Sequence, residues 1–372
     1  MPDLGANLRA AREASGLSLA ALARRTHYSK AALGHLETGR RVVLPEHVTA
    51  YSRALGVAVE RLYGPALDPL RVAHEWLVSD GALRAESDAG RRVGDSMAAE
   101  LERRVVELRH LDDLVGGTDL YPVVSAELDR AQDVVRRCSY TETIGRRLLV
   151  AVGELSQLVG WVASDAGRHV DAERVYLSGV SAASAAGSDV LVGQILSTLS
   201  YQMASTGDRL PDAALLARSA VRGATDATPV ARTLLLERVA WASARCRDAD
   251  GARRALDQVD DAYETRSAGV AEPEWTYWLD RSEIDVMAGR CMIEMGDPAS
   301  AEPLLSRAIT SYDADRVREV ALYQTWLAES YARSGDRDAG RATLSKAQTL
   351  AARTRSVRLD TRIATIDRLL RA

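Results

Sequence analysis

The 372-residue sequence has no phenylalanine, a single asparagine (Asn7), and only two lysines, Lys30 and Lys346, among 48 basic residues. This skew toward arginine reads as mutational pressure in a GC-rich genome rather than as a clue to role. Three cysteines, Cys138, Cys246 and Cys291, are odd in number and far apart. They exclude a disulfide framework and a paired-cysteine zinc or redox site, and they point to a reducing cytoplasm. The start lacks the basic-then-apolar order of a signal peptide. No run of about 18 consecutive apolar residues occurs, so no membrane span is expected.

Catalytic signatures are also missing. Neither lysine follows the glycines of a phosphate-binding loop, and no G-x-G-x-x-G follows a strand pattern. His74-Glu75 lacks the second histidine of a zinc-protease helix. Asp248-Ala249-Asp250-Gly251 lacks the later ligands of a calcium loop. The expectation is no catalytic residues, no metal, no cofactor and no enzyme. Runs of β-branched residues alternating with polar ones are scarce, so no strand is expected either.

What is present is helical periodicity. Ala, Leu, Arg and Glu dominate, and short breaks recur at Gly116-Gly117, Gly167-Arg168, Gly207-Asp208, Gly296-Asp297-Pro298 and Gly335-Asp336. Each pairs a helix-ending glycine with a residue able to start the next helix. The fold class is all-α. Three regions follow: 1–64, a compact helical unit; 65–118, connecting helices and linker; and 119–372, a repeat region.

The first region reads as five short helices near 4–14, 18–25, 29–37, 45–55 and 57–62. Ser18 and Ser29 are placed to N-cap the second and third, and Pro45 suits the first turn of the fourth. Leu8, Leu19, Leu22, Leu33, Leu36 and Leu55 supply a core. Two short helices joined by Thr26-His27-Tyr28, with Ala23 at the crossing and Leu33 and Leu36 inward, have the pattern of a helix–turn–helix.

The segment resembles the Xre or phage-repressor helix–turn–helix family in its Leu8-Arg9…Arg12 opening, Gly16-Leu17-Ser18, Leu22-Ala23 and Glu37-x-Gly39-x-Arg41 close. That resemblance implies binding of double-stranded operator DNA. It places Lys30, Ala31 and His35 at base edges, with Ser18, Ser29, Arg40 and Arg41 at phosphates and Arg24 and Arg25 as weaker candidates. The family's usual glutamine after the capping serine is here Leu19, so the resemblance does not carry that phosphate contact over. A net charge of −4 argues against a polyanionic partner only until it is divided. Residues 1–64 carry nine basic and five acidic side chains, and the rest carry 39 and 47. A cationic head on an acidic body suits phosphate binding at one face.

Beyond the head, Leu70, Val72, Trp76 and Leu77 suggest a docked helix, followed by a flexible polar stretch over 79–97. A helix near 97–115 then carries Leu101, Val105, Leu108, Leu111 and Val115 on one face. Small-residue anchors recur at Ala172, Ala213, Ala252, Ala301 and Gly340, each followed four residues later by a larger one or alanine. Small residues upstream, such as Gly160, Ala240, Gly289 and Ala328, would let paired helices cross closely. The pattern resembles the tetratricopeptide repeat, at spacings longer than its usual period, with flanking helices near 122–138, 141–160 and 355–371.

Residues 272–287 contain Trp275, Trp278, Asp280 and Glu283 at helical spacing. They offer an aromatic wall with two carboxylates for a cationic or peptide ligand, or they pack between helices with Arg281 neutralising a carboxylate. The whole arrangement resembles peptide-sensing regulators of Gram-positive bacteria. That implies a homodimeric transcription regulator whose repeats sense a peptide, small molecule or protein. Such proteins commonly hold peptides with asparagines, which this chain lacks after Asn7. The competing reading is an interaction scaffold in which the repeats recruit proteins and DNA binding is secondary.

Overall fold

The computed structural model describes residues 4–41, 43, 45–57, 62, 69–70, 72–73, 92–312, 316–353 and 356–371. Among them the protein is all-α, with one isolated bridge between Arg92 and Ser139 and no strand. The chain divides into two compact units, Met1–Asp68 and Pro69–Ala372. Residues 58–61 of the expected fifth short helix, the docked helix beyond Ala73, and most of the polar stretch from 79 lie outside the described residues.

The first unit contains α1 (Leu4–Ala14), α2 (Leu19–Arg25), α3 (Lys30–Glu37) and α4 (Pro45–Leu55). Ser18 and Ser29 cap α2 and α3, each hydroxyl oxygen accepting a backbone N–H at 3.1 Å, from Ala21 and Ala32. Leu8, Leu22, Leu33, Leu36, Val48, Tyr51 and Leu62 are fully buried, while Leu19 and Leu55 lie half-buried against them.

The second unit holds α5 (Asp95–Leu114), α6 (Gly117–Arg137), α7 (Glu142–Asp165), α8 (His169–Ala185), α9 (Asp189–Thr206), α10 (Leu210–Gly223), α11 (Pro229–Arg245) and α12 (Ala249–Glu264). After a 3-10 turn at Glu274–Thr276 come α13 (Arg281–Glu294), α14 (Pro298–Ser311), α15 (Val317–Arg333), α16 (Arg337–Ala351) and α17 (Val357–Arg371). Five helical hairpins, α7/α8 through α15/α16, stack into a tetratricopeptide-like solenoid. All five anchors fall in the second helix of a hairpin and are buried.

The crossings are as close as the small residues imply. A Cβ at Gly160 would sit 2.4 Å from the Tyr176 ring, and one at Gly289 would sit 2.9 Å from Leu305. Aspartates start the second helices: Asp248, Asp297 and Asp336 each accept a backbone N–H three residues on. Gly296 and Gly335 precede two of them in the left-handed region, at φ +85° and +92°. The third repeat places Arg247 there, at φ +61°.

Two readings of the sequence are corrected. The first flanking helix begins at Gly117, not near 122, and carries Pro122 inside it. Residues 272–287 are not one helix: a 3-10 turn ends before Asp280, and α13 starts after it. This inserted segment, 265–280, also accounts for the long gap between the third and fourth anchors. The face of α5 with Leu101, Val105 and Leu108 packs against α7 in the unit's own core. Leu70, Val72 and Ala73 pack into the larger core of the repeats. The 24-residue α7 is long and apolar enough to cross a membrane, but 61% of its most apolar window is buried inside this core.

Candidate nucleic-acid interface and interior cavity

The first unit is organised around one buried ion pair. Arg12 on α1 reaches Glu37 at the end of α3 through two hydrogen bonds of 2.7 Å. Arg12 also donates to the Leu17 carbonyl at 2.8 Å, and Tyr51 on α4 donates to Glu37 at 3.0 Å. Glu37 is 5% exposed and Arg12 8%. A buried bidentate pair fixes direction as well as distance, so α3 is held against α1 and α4 at a set angle. Both residues belong to the pattern noted in the sequence, and their work here is positioning.

The consequence is the opposite face of α3. With Leu33, Leu36 and Glu37 inward, helical periodicity turns Lys30, Ala31 and His35 outward, and all three are exposed. Gly34 lies between the two faces; a Cβ there would stand 3.8 Å from Leu19 on α2. Leu19 is therefore spent on the contact between the two helices. Thr38, at the end of the same exposed face, was not singled out from the sequence; its hydroxyl donates to the Gly34 carbonyl at 2.7 Å.

Past α3, Gly39 at φ +68° turns the chain and the Arg41 N–H returns to the His35 carbonyl at 3.1 Å. Arg40 and Arg41 are both exposed. Ser18 and Ser29 are exposed at the N-termini of α2 and α3, and each hydroxyl keeps its proton free to donate. Lys30, Arg24, Arg40 and Arg41 form no ion pair among the described residues. Arg25 instead donates to the Ala54 carbonyl at 3.3 Å.

Residues 3–62 match the helix-turn-helix domain family. No curated protein matches the chain. Among solved structures, PlcR of Bacillus thuringiensis, in complex with the peptide PapR7 and DNA, is 11% identical, with TM-score 0.33 and coverage of 88% of this chain and 99% of PlcR. A variant of PrgX is 10% identical, with TM-score 0.29 and coverage of 97% and 99%. Likenesses this distant carry nothing about ligand or partner.

Outside the helix-turn-helix domain, the repeat unit holds a half-open cavity. Two adjoining lobes of about 180 and 600 Å³ share Trp161, Asp165, Tyr201, Arg290, Leu322 and Arg358. The lining comes mainly from the first helices of the hairpins. The residue after three of the four small crossing residues lines this interior: Trp161 after Gly160, Trp241 after Ala240 and Arg290 after Gly289, whereas Glu329 after Ala328 does not. That partial regularity is the one signal of the site carried by the sequence.

Distant parts of the unit close over the interior. Tyr277 donates to Asp113 on α5 at 2.8 Å, Arg318 donates to the Val115 carbonyl at 3.2 Å, and Arg358 on α17 donates to the Tyr201 hydroxyl at 2.6 Å. Burial pushes the Asp112 carboxyl up to about 7 against the opposing pull of Arg318, with Asp165 and Asp113 adding to the rise.

The four residues proposed from the sequence for ligand contact are divided by the structure. Trp275 and Trp278 line the smaller lobe, but Trp275 is 4% exposed and embedded in an apolar cluster with Val230 and Leu279. Glu283 also lines that lobe and accepts hydrogen bonds from the Tyr312 and Tyr323 hydroxyls, so its carboxylate is already engaged. Asp280 is not in the cavity: it is exposed, and its carboxylate caps α13 by accepting the Glu283 N–H at 3.0 Å. Arg281 pairs with Asp260 and Asp285.

Proposed function

We propose that the chain is a sequence-specific DNA-binding transcription regulator, with α3 of the helix-turn-helix domain entering the major groove. One observation carries this reading. The buried Arg12–Glu37 pair turns Lys30, Ala31 and His35 to solvent together, with no described carboxylate neutralising the lysine. In a groove, Lys30 donates to guanine O6 and N7, Ala31 meets a thymine methyl, and His35 reaches a base or a phosphate. Ser18 and Ser29 offer hydroxyls and helix N-termini to phosphates, and Arg40 and Arg41 clamp the backbone. The acidic remainder of the chain opposes DNA away from this face.

A single small domain makes few contacts, so the protein acts as a homodimer on two half-sites, with the repeat unit as its dimerising and ligand-sensing part. The test is recovery of genomic DNA fragments by the full chain at rising salt. A regulator retains a discrete set of fragments after random DNA is lost. A chain that captures no fragment over random DNA at any salt is instead a protein-binding scaffold.

A further inference from the structure

Three guanidiniums converge inside the repeat unit with no carboxylate ion-paired to them among the described residues. Arg238 on α11 lies with its guanidinium carbon 4.4 Å from the Tyr201 ring centre and 6.0 Å from that of Trp278. Arg290 on α13 stands 4.3 Å from the Trp241 ring and 4.7 Å from Trp326. Arg358 on α17 donates to the Tyr201 hydroxyl and lies 5.5 Å from Trp161. Arg238 is 7% exposed and Arg290 5%, yet none of the three forms an ion pair among the described residues, and the Arg290 Nε has no hydrogen-bond partner.

The carboxylates around them are spent elsewhere. Glu294 pairs with Arg245 at 3.1 Å, and Glu329 is held by Arg333 and Arg362. Glu283 is engaged by two tyrosines. Burial pushes the Glu237 carboxyl up to about 8, with Arg238 opposing and Glu283 reinforcing the rise, so it is largely uncharged at neutral pH. Asp113 accepts from Tyr277, burial raises Asp112, and Glu319 lies 3.9 Å from Arg318. Asp165 is the remaining carboxylate of the lining, and it attracts Arg358 from beyond ion-pair distance. Burial by itself would raise the Tyr201 phenol, but Arg290, Arg358 and Arg238 overcome it and bring it down to about 7. Arginine does not shed its proton to escape burial. Aromatic faces attract a guanidinium but accept none of its in-plane N–H bonds as an anionic oxygen does.

We infer that this cavity binds a small organic anion, its carboxylate or phosphate group held by Arg238, Arg290 and Arg358 beside Tyr201. Its flat apolar body lies against Trp161, Trp241 and Trp326. The larger lobe, about 600 Å³, is within the range that encloses a compact small molecule. The proposal rests on reading the repeat unit as the sensing part of the regulator, but its test needs no DNA, so failure here leaves the DNA-reading claim standing.

The probe is naphthoate, compared with its neutral alcohol counterpart, titrated into the full chain at fixed ionic strength and followed by tryptophan fluorescence and calorimetry. Naphthoate is expected to bind at least about tenfold more tightly than the alcohol, and Arg238→Met and Arg290→Met each to lose about tenfold or more. Arg290→Lys, keeping the charge but not the planar fork, is expected to recover part of the loss. Without ligand, Arg238→Met is expected to raise the thermal midpoint, because it removes a buried cation that no carboxylate pairs with directly. Naphthoate binding no more tightly than the alcohol would overturn the proposal. So would a lowered midpoint in Arg238→Met, which would make the arginine a structural part of the core.

Discussion

The Arg12–Glu37 pair joins residues 25 apart in sequence, and both side chains are nearly closed to water. Their identities were visible as parts of a recognisable motif, but their pairing was not, since no local periodicity links them. Glu37→Gln leaves the buried guanidinium with only the exposed Glu13, 3.3 Å away, as counter-charge, at a cost of about 3 kcal/mol. Hydrogen exchange of the full chain should show α1–α4 losing protection by that amount while the repeat helices keep theirs.

Glu237 gives a second test, on the pH axis. Its carboxyl is raised by burial to about 8, so the folded chain holds a proton there that the unfolded chain releases near the ordinary glutamate value. The associated stability is present in full below that ordinary value and is lost as pH rises through about 8. Tyr201 acts with the opposite sign: lowered to about 7, it adds stability as pH rises from there toward the ordinary tyrosine value. The difference between the wild type and Glu237→Gln therefore isolates the carboxyl. Chemical denaturation should find the variant on the order of 2 kcal/mol more stable at alkaline pH, with that advantage shrinking in mild acid.

Helices whose ends are written in local chemistry were legible: a glycine able to turn left-handed, then an aspartate to cap, as at Gly296-Asp297 and Gly335-Asp336. The 272–287 segment misled because Trp275, Trp278 and Glu283 keep a helical spacing across a break that Asp280 makes by capping α13. The crossings test the small-residue pattern directly. Gly160→Ala drives a methyl into the buried Tyr176 ring and should lower unfolding free energy by about 1–3 kcal/mol. Arg247, in the left-handed position that glycine fills in other repeats, offers the reverse case. Arg247→Gly should raise stability by about 0.5–1 kcal/mol, once relief of backbone strain is offset by glycine's greater entropy in the unfolded chain.

The modest net charge of the chain conceals a division between a basic head and an acidic remainder. That division and the all-α architecture were open to arithmetic and periodicity. The interior cavity was not, because its walls come from five hairpins and from α5 and α17, brought together only by the winding of the repeats. If the protein reads paired half-sites, sedimentation at micromolar concentration should give a dimer, and protection of bound DNA should span two sites about one helical turn, or a whole number of turns, apart. The central claim is that α3 reads sequence, and a competition of selected against random duplex, run over a salt series with the full chain, tests it most directly. Arg41→Ala should weaken binding to both duplexes alike and reduce the salt slope by about one, whereas Lys30→Ala should narrow the ratio between them. A ratio that Lys30→Ala leaves unchanged, or a wild-type chain with no preference at any salt, would contradict the account.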